Sequence, residues 1–481
     1  ARDVYKRQCT HRGSLGTRED RHLLAEGTGT GKPVYKKGQA LTGELLPPKS
    51  DTKESGRTQG IGKRAKCEVN RDGDAVVLAD HSTDGREVGR PGRWGTNETQ
   101  GTHWREGEAG PNVLLDGKMR DTMRSEIIST QLQQIAEQAI EHPDRVFTTL
   151  IHRMDVDFLR EAYHRLRKDG APGLSGVTAK DYGKDLETNL IDLHERLKGQ
   201  SYIAPPIKRV WIDKEGGKKR PIGLLEIEDK IVQKAVSMLM GAVFEQDFYP
   251  FSYGFREAHS AHQAIGEIRA QCMEHGIQWI YDADISGFFD NIDWGWLRSF
   301  IQQRINDGGL LRLIGKWLNA GVMEGEQITY SDRGTPQGGT ISPCLANIFL
   351  HHVLDEWFVN EVKPRMRGHC FIVRFADDFV IGFQREDDAK RVMEVLPKRF
   401  AKYGLAIHPE KSRLLAFGKP ASDKEVTRGD NTFDFLGFTH YWARTRRDYW
   451  VIKRKTARKK VRKTMQALWI WCRNHRHMDL A

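Results

Sequence analysis

Three aspartates are placed where they could act together. Asp377 and Asp378 are adjacent and lie between two apolar, β-prone runs: Phe371, Ile372, Val373 and Phe375, then Phe379, Val380, Ile381 and Phe383. This spacing predicts a hairpin with the acidic pair at its tight turn. Asp284 closes another buried run, 279–285, which also carries Asp282. By itself an acidic pair in a turn reads equally well as a polar turn, because Asp favours turns. If the Asp284 strand neighbours the hairpin, three carboxylates meet. Three acids at one point repel and partly protonate unless cations bind between them. Two Mg2+ ions about 3.5–4 Å apart would answer that need, with carboxylate oxygens as hard ligands.

The elements that must hold these residues are legible as periodicities. Ile128, Leu132, Ile135 and Ala139 recur at helical spacing until Pro143. Further helices are predicted over 156–168, 186–197, 229–244, 294–318, 342–359 and 387–403. Short strands are predicted over 208–212, 219–222, 279–285, 405–407, 414–417, 433–439 and 449–452, with a turn at Glu215, Gly216 and Gly217. Strands and helices intersperse without a regular βαβ period, which indicates an α+β class.

The 481 residues leave room for two or more domains. Residues 1–118 are rich in Gly, Arg, Thr, Asp and Glu with apolar residues mostly single, and are read as disordered or as non-native coding sequence. Within them GTGTGKP (27–33) has three residues between its outer glycines and Pro after Lys, so it is not a phosphate-binding P-loop. The net charge of +11 points to a polyanionic partner. Between Tyr449 and Met478 there are ten Lys/Arg and no acid, which accounts for nearly all of that excess. Six scattered cysteines without a C-x-x-C pair argue against a zinc site and a disulfide scaffold and suit a reducing cytosol. No membrane span or signal peptide is visible. The sequence opens on Ala1 rather than Met, read as a fragment or a frame opened upstream of the true start.

YDADISGFFDNID (281–293), GTPQGG (334–339), FADD (375–378), HPEKS (408–412) and FLGF (435–438), in this order and spacing, resemble the reverse-transcriptase motifs of bacterial group II intron-encoded reverse transcriptase/maturases. The resemblance runs from about residue 119 to the end. It implies a right-hand polymerase: fingers, a palm built as an antiparallel sheet packed by helices, and a partial helical thumb. Residues 119–192 would be an N-terminal extension with the start of the fingers, 193–448 the fingers and palm, and 449–481 a basic, truncated thumb or maturase start. It also implies two-metal copying of RNA into DNA, with intron RNA as template and splicing partner, a DNA primer or target, and dNTPs. A bacterial cytoplasmic ribonucleoprotein is the implied setting.

Residue by residue, Asp284, Asp377 and Asp378 match the metal-binding carboxylates, with the Ile285 backbone beside the metal. Phe289 matches the aromatic gate that clashes with a ribose 2′-hydroxyl; on position alone it is also a plausible core Phe. Arg220 in KKRPIG matches the fingers arginine on the incoming triphosphate, suited by its planar fork, with Lys218 and Lys219 as possible helpers. Gln337 matches a residue lining the nucleotide pocket, with Gly338 permitting close backbone approach. Lys411 matches a general acid for pyrophosphate, although a Lys after Pro-Glu is usually just solvated. Leu436 and Gly437 match the primer-gripping hairpin. Lys453, Arg454 and Lys455 begin a basic run, 453–463, that would track phosphates, with Trp469 and Trp471 packing or stacking. Two departures stand out. Phe375 replaces the usual Tyr of Tyr-x-Asp-Asp, which touches the primer contact, and little chain remains for a thumb or an endonuclease domain.

Two alternatives are weighed. An RNA-dependent RNA polymerase would use Asp290 as a sugar-selecting acid, but Phe289 and Ala376 speak against it, and Asp290-Asn291 is more simply a helix cap. A splicing cofactor that binds intron RNA without polymerising is disfavoured by three intact acids.

Overall fold

The computed structural model describes residues 117–213, 219–335, 337–421 and 431–476. The sequence before 117, the 215–217 turn and Lys218 lie outside them.

The first helices gather around one apolar rod. α1 (Gly117–Glu141), α2 (Val156–His164), α3 (Ala179–Tyr182) and α4 (Leu186–Lys198) precede the paired strands β1 (Ile207–Asp213) and β2 (Lys219–Leu224). α5 (Ile227–Phe244) follows; it is apolar around most of its circumference and is accordingly buried on nearly every side. α6 (Ala261–Glu274) was not expected from the periodicity. Its start is nevertheless written in the sequence as a capping box, in which Ser260 and Gln263 each bond the other's backbone.

β3 (Trp279–Ala283) leads into α7 (Phe288–Asn291), α8 (Trp294–Arg304) and α9 (Gly308–Leu318). The single helical stretch expected over 294–318 breaks because Asp307 caps α9, accepting from Gly309 and Leu310, while Asn306 donates to the Phe147 carbonyl at 2.8 Å. A small hairpin, β4 (Val322–Glu324) with β5 (Gln327–Thr329), was also not expected. α10 (Ser342–Leu350) continues into two widened π-type segments, His351–Asp355 and Phe358–Val362, so the 342–359 helix is present but not regular.

β6 (Cys370–Phe375) and β7 (Asp378–Phe383) form the expected hairpin, and α11 (Glu386–Ala401) and β8 (Arg413–Ala416) follow. The strand expected over 405–407 is reduced to one bridge, Ile407 to Ile285, because Leu405 is tied back to the Phe400 carbonyl at the end of α11. The 433–439 strand is instead a hairpin, β9 (Thr432–Phe435) and β10 (Phe438–Arg444). The last strand, β11 (Trp450–Thr456), outruns its expected end because it pairs with β10 as far as Phe438↔Thr456. α12 (Arg458–His475) carries the second half of the basic run, after Lys453, Arg454 and Lys455 on β11, and buries none of its residues.

Three sheets result among the described residues: β2-β1-β4-β5, β6-β7-β3-β8 and β11-β10-β9. All pairings in the second are antiparallel, which with the flanking helices makes this an α+β fold as expected. Strand alternation sorts its residues between two cores. Tyr281, Ala283, Ile372, Phe379 and Ile381 enter the main helical core. Ile280, Phe371, Val373 and Val380 enter a smaller core with α6 and the β9–β11 sheet. No helix among the described residues is long and apolar enough to cross a membrane.

Candidate functional site

The register of the central sheet brings the three acids together. β3 lies beside β7 with Ala283 opposite Phe379, so the next step along places Asp284 beside Asp378. Alternation then puts Asp282, Asp284 and Asp378 on the face shared with Ile280 and Val380. Asp377 sits in the two-residue turn between Phe375 and Asp378, whose first residue, Ala376, has φ +58°. Hairpins of this length favour such left-handed backbone.

The electrostatics fit a cation site. Asp378 is open to solvent at its surface yet lies deep among surrounding atoms. Burial, then the charges of Asp377, Asp284 and Asp282, push its carboxyl up to about 6. Asp377 is also raised, by burial first and Asp284 second, and is partly relieved by Arg220 and Lys411. Asp282 is raised to about 6, mainly by burial, and stands 3.6 Å from Arg413. Acids held together against this tendency to protonate form a donor set suited to hard divalent ions.

The HPEKS loop is docked on the first acid. Lys411 Nζ donates to Asp284 Oδ2 at 2.5 Å, His408 N–H donates to the Asp284 carbonyl at 2.8 Å, and Asp284 N–H donates to Ser412 Oγ at 3.1 Å. Ile285 is buried and makes the bridge to Ile407.

Arg220 and Gln337 come together, and Arg220 is near enough to Asp377 to favour its charged form. Arg220 Nε donates to Gln337 Oε1 at 3.1 Å, and Gln337 Nε2 donates to Asp290 Oδ2 at 3.4 Å. The glycine turn is tied to α7 through Thr335 N–H to the Phe289 carbonyl, 2.7 Å. Phe289 is half-buried, edge-on to Phe288. Gly338 has φ +107°, and a Cβ there would lie 2.6 Å from the Gly223 carbonyl oxygen. The glycine is therefore required by packing on β2.

Phe375 and Leu436 both pack on the smaller core. Leu436 and Gly437 form the two-residue turn between β9 and β10, both left-handed at φ +51° and +83°. The three basic residues divide. Lys453 and Lys455 lie opposite Tyr441 and Thr439 and share a face, whereas Arg454 lies opposite His440 on the other. All three are exposed. Trp469 and Trp471 are exposed on α12, where Trp471 stacks on His475 at 4.6 Å.

A second group, His351, His352 and Glu356, brings ligand-type atoms within 4.8 Å of one another. It makes a poor metal site. Both rings face the Glu356 carboxylate, and His351 Nδ1 and His352 Nε2 are buried without partners. A metal-bound imidazole needs an acceptor for its opposite N–H.

Sequence reasoning missed Arg374, Asp355 and Asn347, all buried beneath the acidic turn. The signal was present: Arg374 is the one charged residue in the run 370–376, and a charge buried in a strand requires a partner.

Comparison with known proteins places residues 212–440 within the family described as reverse transcriptase (RNA-dependent DNA polymerase). The group II intron-encoded protein LtrA of Lactococcus lactis subsp. cremoris is 35% identical over 304 residues, 61% of this chain and 50% of LtrA. Protein YkfC of Escherichia coli (strain K12) is 31% identical over 287 residues, 53% of this chain and 75% of YkfC. The putative COX1/OXI3 intron 1 protein of Saccharomyces cerevisiae is 27% identical over 309 residues, 54% of this chain and 37% of that protein. The chain thus spans about half the length of LtrA.

Proposed function

Taking as premise that this chain belongs to the group II intron-encoded reverse transcriptases, we propose that it is an RNA-directed DNA polymerase that also binds intron RNA in support of splicing. The observation that carries the reading is the convergence of Asp284, Asp377 and Asp378 at one sheet end, with Arg220, bonded to Gln337, close to Asp377.

In this reading the β6-β7-β3-β8 sheet is the palm and the β2-β1 hairpin belongs to the fingers. Residues 119–192 are an N-terminal extension with the start of the fingers, 193–448 the fingers and palm, and 449–481 the start of a thumb. Asp284, Asp377 and Asp378, with the Ile285 backbone, hold two Mg2+ ions. Those ions, when bound, supply Lewis acidity toward a primer 3′-hydroxyl and the departing pyrophosphate. The chain's own residues position and stabilise the reactants. Arg220 presents its guanidinium to the incoming triphosphate. Gln337 lines the nucleotide pocket, and Gly338 holds that loop against β2. Phe289 excludes a ribose 2′-hydroxyl, which selects dNTPs. Lys411 offers its ammonium proton to the pyrophosphate. Phe375, Leu436 and Gly437 support the primer end. Lys453 and Lys455 contact backbone phosphates of the RNA template and DNA primer. The proposed setting is a ribonucleoprotein in the bacterial cytoplasm. The intron assignment rests on the similarity to LtrA and to the COX1/OXI3 intron 1 protein.

The test is primer extension on an RNA template with dNTPs and Mg2+, comparing the parent with Asp377→Ala/Asp378→Ala. The expected result is cDNA from the parent and a loss on the order of 10³-fold in the variant, several kcal/mol of transition-state stabilisation. A parent that binds intron RNA tightly but makes no cDNA would overturn the polymerase part and leave a splicing cofactor.

A further inference from the structure

We propose that Arg374, with Asp355 and Asn347, is a positioning clamp that sets the geometry of the turn carrying Asp377 and Asp378. The inference rests on the polymerase reading above and adds to it a residue on the opposite side of the sheet.

Alternation points Arg374 into the main core, away from the face that presents Asp378. There its guanidinium is fully buried, and each of its three nitrogens donates a hydrogen bond. Nε and Nη2 donate to Asp355 Oδ1 and Oδ2 at 2.8 and 2.5 Å. Nη1 donates to Asn347 Oδ1 at 2.9 Å and to the Ala376 carbonyl at 3.1 Å. That last bond grips the acidic turn itself.

A second strand of contacts closes the ring. Asn347 Nδ2 donates to the Gly254 carbonyl at 2.8 Å. Gly254 lies against the turn so closely that a Cβ on it would stand 2.2 Å from the Ala376 nitrogen. The Arg374 backbone is held from the same segment, donating to the Phe251 carbonyl at 2.9 Å and accepting from Tyr253 at 2.8 Å. The 251–254 loop, the helix carrying Asn347 and Asp355, and β6 therefore converge on Arg374, which in turn bonds the acidic turn.

The arrangement has a physical rationale. Ala376 takes the left-handed backbone that a two-residue hairpin favours, but its Cβ resists that conformation, so the contacts around it help to hold it there. A buried ion pair contributes little net stability compared with apolar residues of similar volume. Its geometric effect is larger, since the fork–carboxylate contact is directional and orients Nη1 toward the turn. A displacement of about 1 Å at reacting groups can cost on the order of 10²-fold in rate.

The experiment separates geometry from stability. Arg374→Met or Asp355→Leu alone strands a buried charge, so the informative variant is the neutral pair Arg374→Met/Asp355→Leu. It is expected to stay folded and bind template–primer equally, melting somewhat below the parent because the Ala376 carbonyl and Asn347 Oδ1 lose their donor. Its dNTP KM should stay within about threefold while kcat falls on the order of 10²-fold. Arg374→Lys, which keeps the charge but cannot make all four bonds, should lose about tenfold in kcat. A folded variant of either kind with parental kcat overturns the proposal. Failure of both to fold also overturns it, because the network would then be a stability element. Mn2+ binding at the three carboxylates, followed by electron paramagnetic resonance, is measured in parallel. If the parent binds Mn2+ but makes no cDNA, the polymerase reading fails and the clamp is judged on affinity alone. Binding about tenfold weaker in the neutral pair supports the clamp, and unchanged binding overturns it.

Discussion

Asp378 has a carboxyl pushed up to about 6 from an ordinary 3.8, by burial and by the acids beside it. A folded-state pKa above the unfolded value means that the folded chain binds the extra proton. Without metal, the stability that Asp378 contributes is therefore present below about pH 4 and is lost as pH rises through about 6. Asp282 and Asp229, raised to about 6 and about 7 chiefly by burial, act in the same direction. The comparison of parent with Asp378→Asn isolates one group. In metal-free urea titrations the parent should lose more stability than the variant between pH 4 and about 6.5. Mn2+ affinity of the parent should rise across the same interval, since the cation displaces a proton; a flat affinity would contradict the assignment. Phe289 has a separate expectation. If Phe289 is the gate proposed above, Phe289→Ala should raise incorporation of ribonucleotides relative to dNTPs about 10–100-fold in single-nucleotide extension.

At the scale of elements, glycine positions report where one segment presses on another. Gly254 has ordinary backbone, so an added methyl group there acts through its clash with the acidic turn alone. Gly254→Ala should lower stability by about 1–3 kcal/mol, read from the urea midpoint, with polymerisation reduced further than the stability loss explains. Gly338 combines a left-handed φ with contact on Gly223, so Gly338→Ala should cost a similar amount and raise the dNTP KM, because the Gln337 loop is displaced from Arg220. The widened segment His351–Asp355 gives an element a further role, since it carries Asp355 to Arg374. A periodicity argument treats that stretch as a plain continuation of α10.

At the scale of the molecule, charge and sheet register together decide which basic residues can bind one strand of nucleic acid. Lys453 and Lys455 share a face of β11, so Lys453→Ala/Lys455→Ala should reduce the slope of log K against log salt for single-stranded RNA by about 1.4. Arg454→Ala, on the other face, should change it little. Filter binding at several salt concentrations distinguishes these outcomes, and equal effects would refute the division by face. The acids, the hairpin around them, the α+β class and the five ordered motifs were legible in the sequence by itself. Each depends on local spacing: two apolar runs around an acidic pair, glycines in turns, and a period of 3.6 or 2. The adjacency of Asp284 and Asp378, the docking of Lys411 on Asp284, the separation of Arg454 from its neighbours and the grip of Arg374 on Ala376 were decided only by the tertiary structure. These depend on which strands become neighbours and where a helix far away in sequence comes to lie. Such contacts are selected by the burial of two cores on opposite faces of one sheet, a long-range condition that no local pattern encodes.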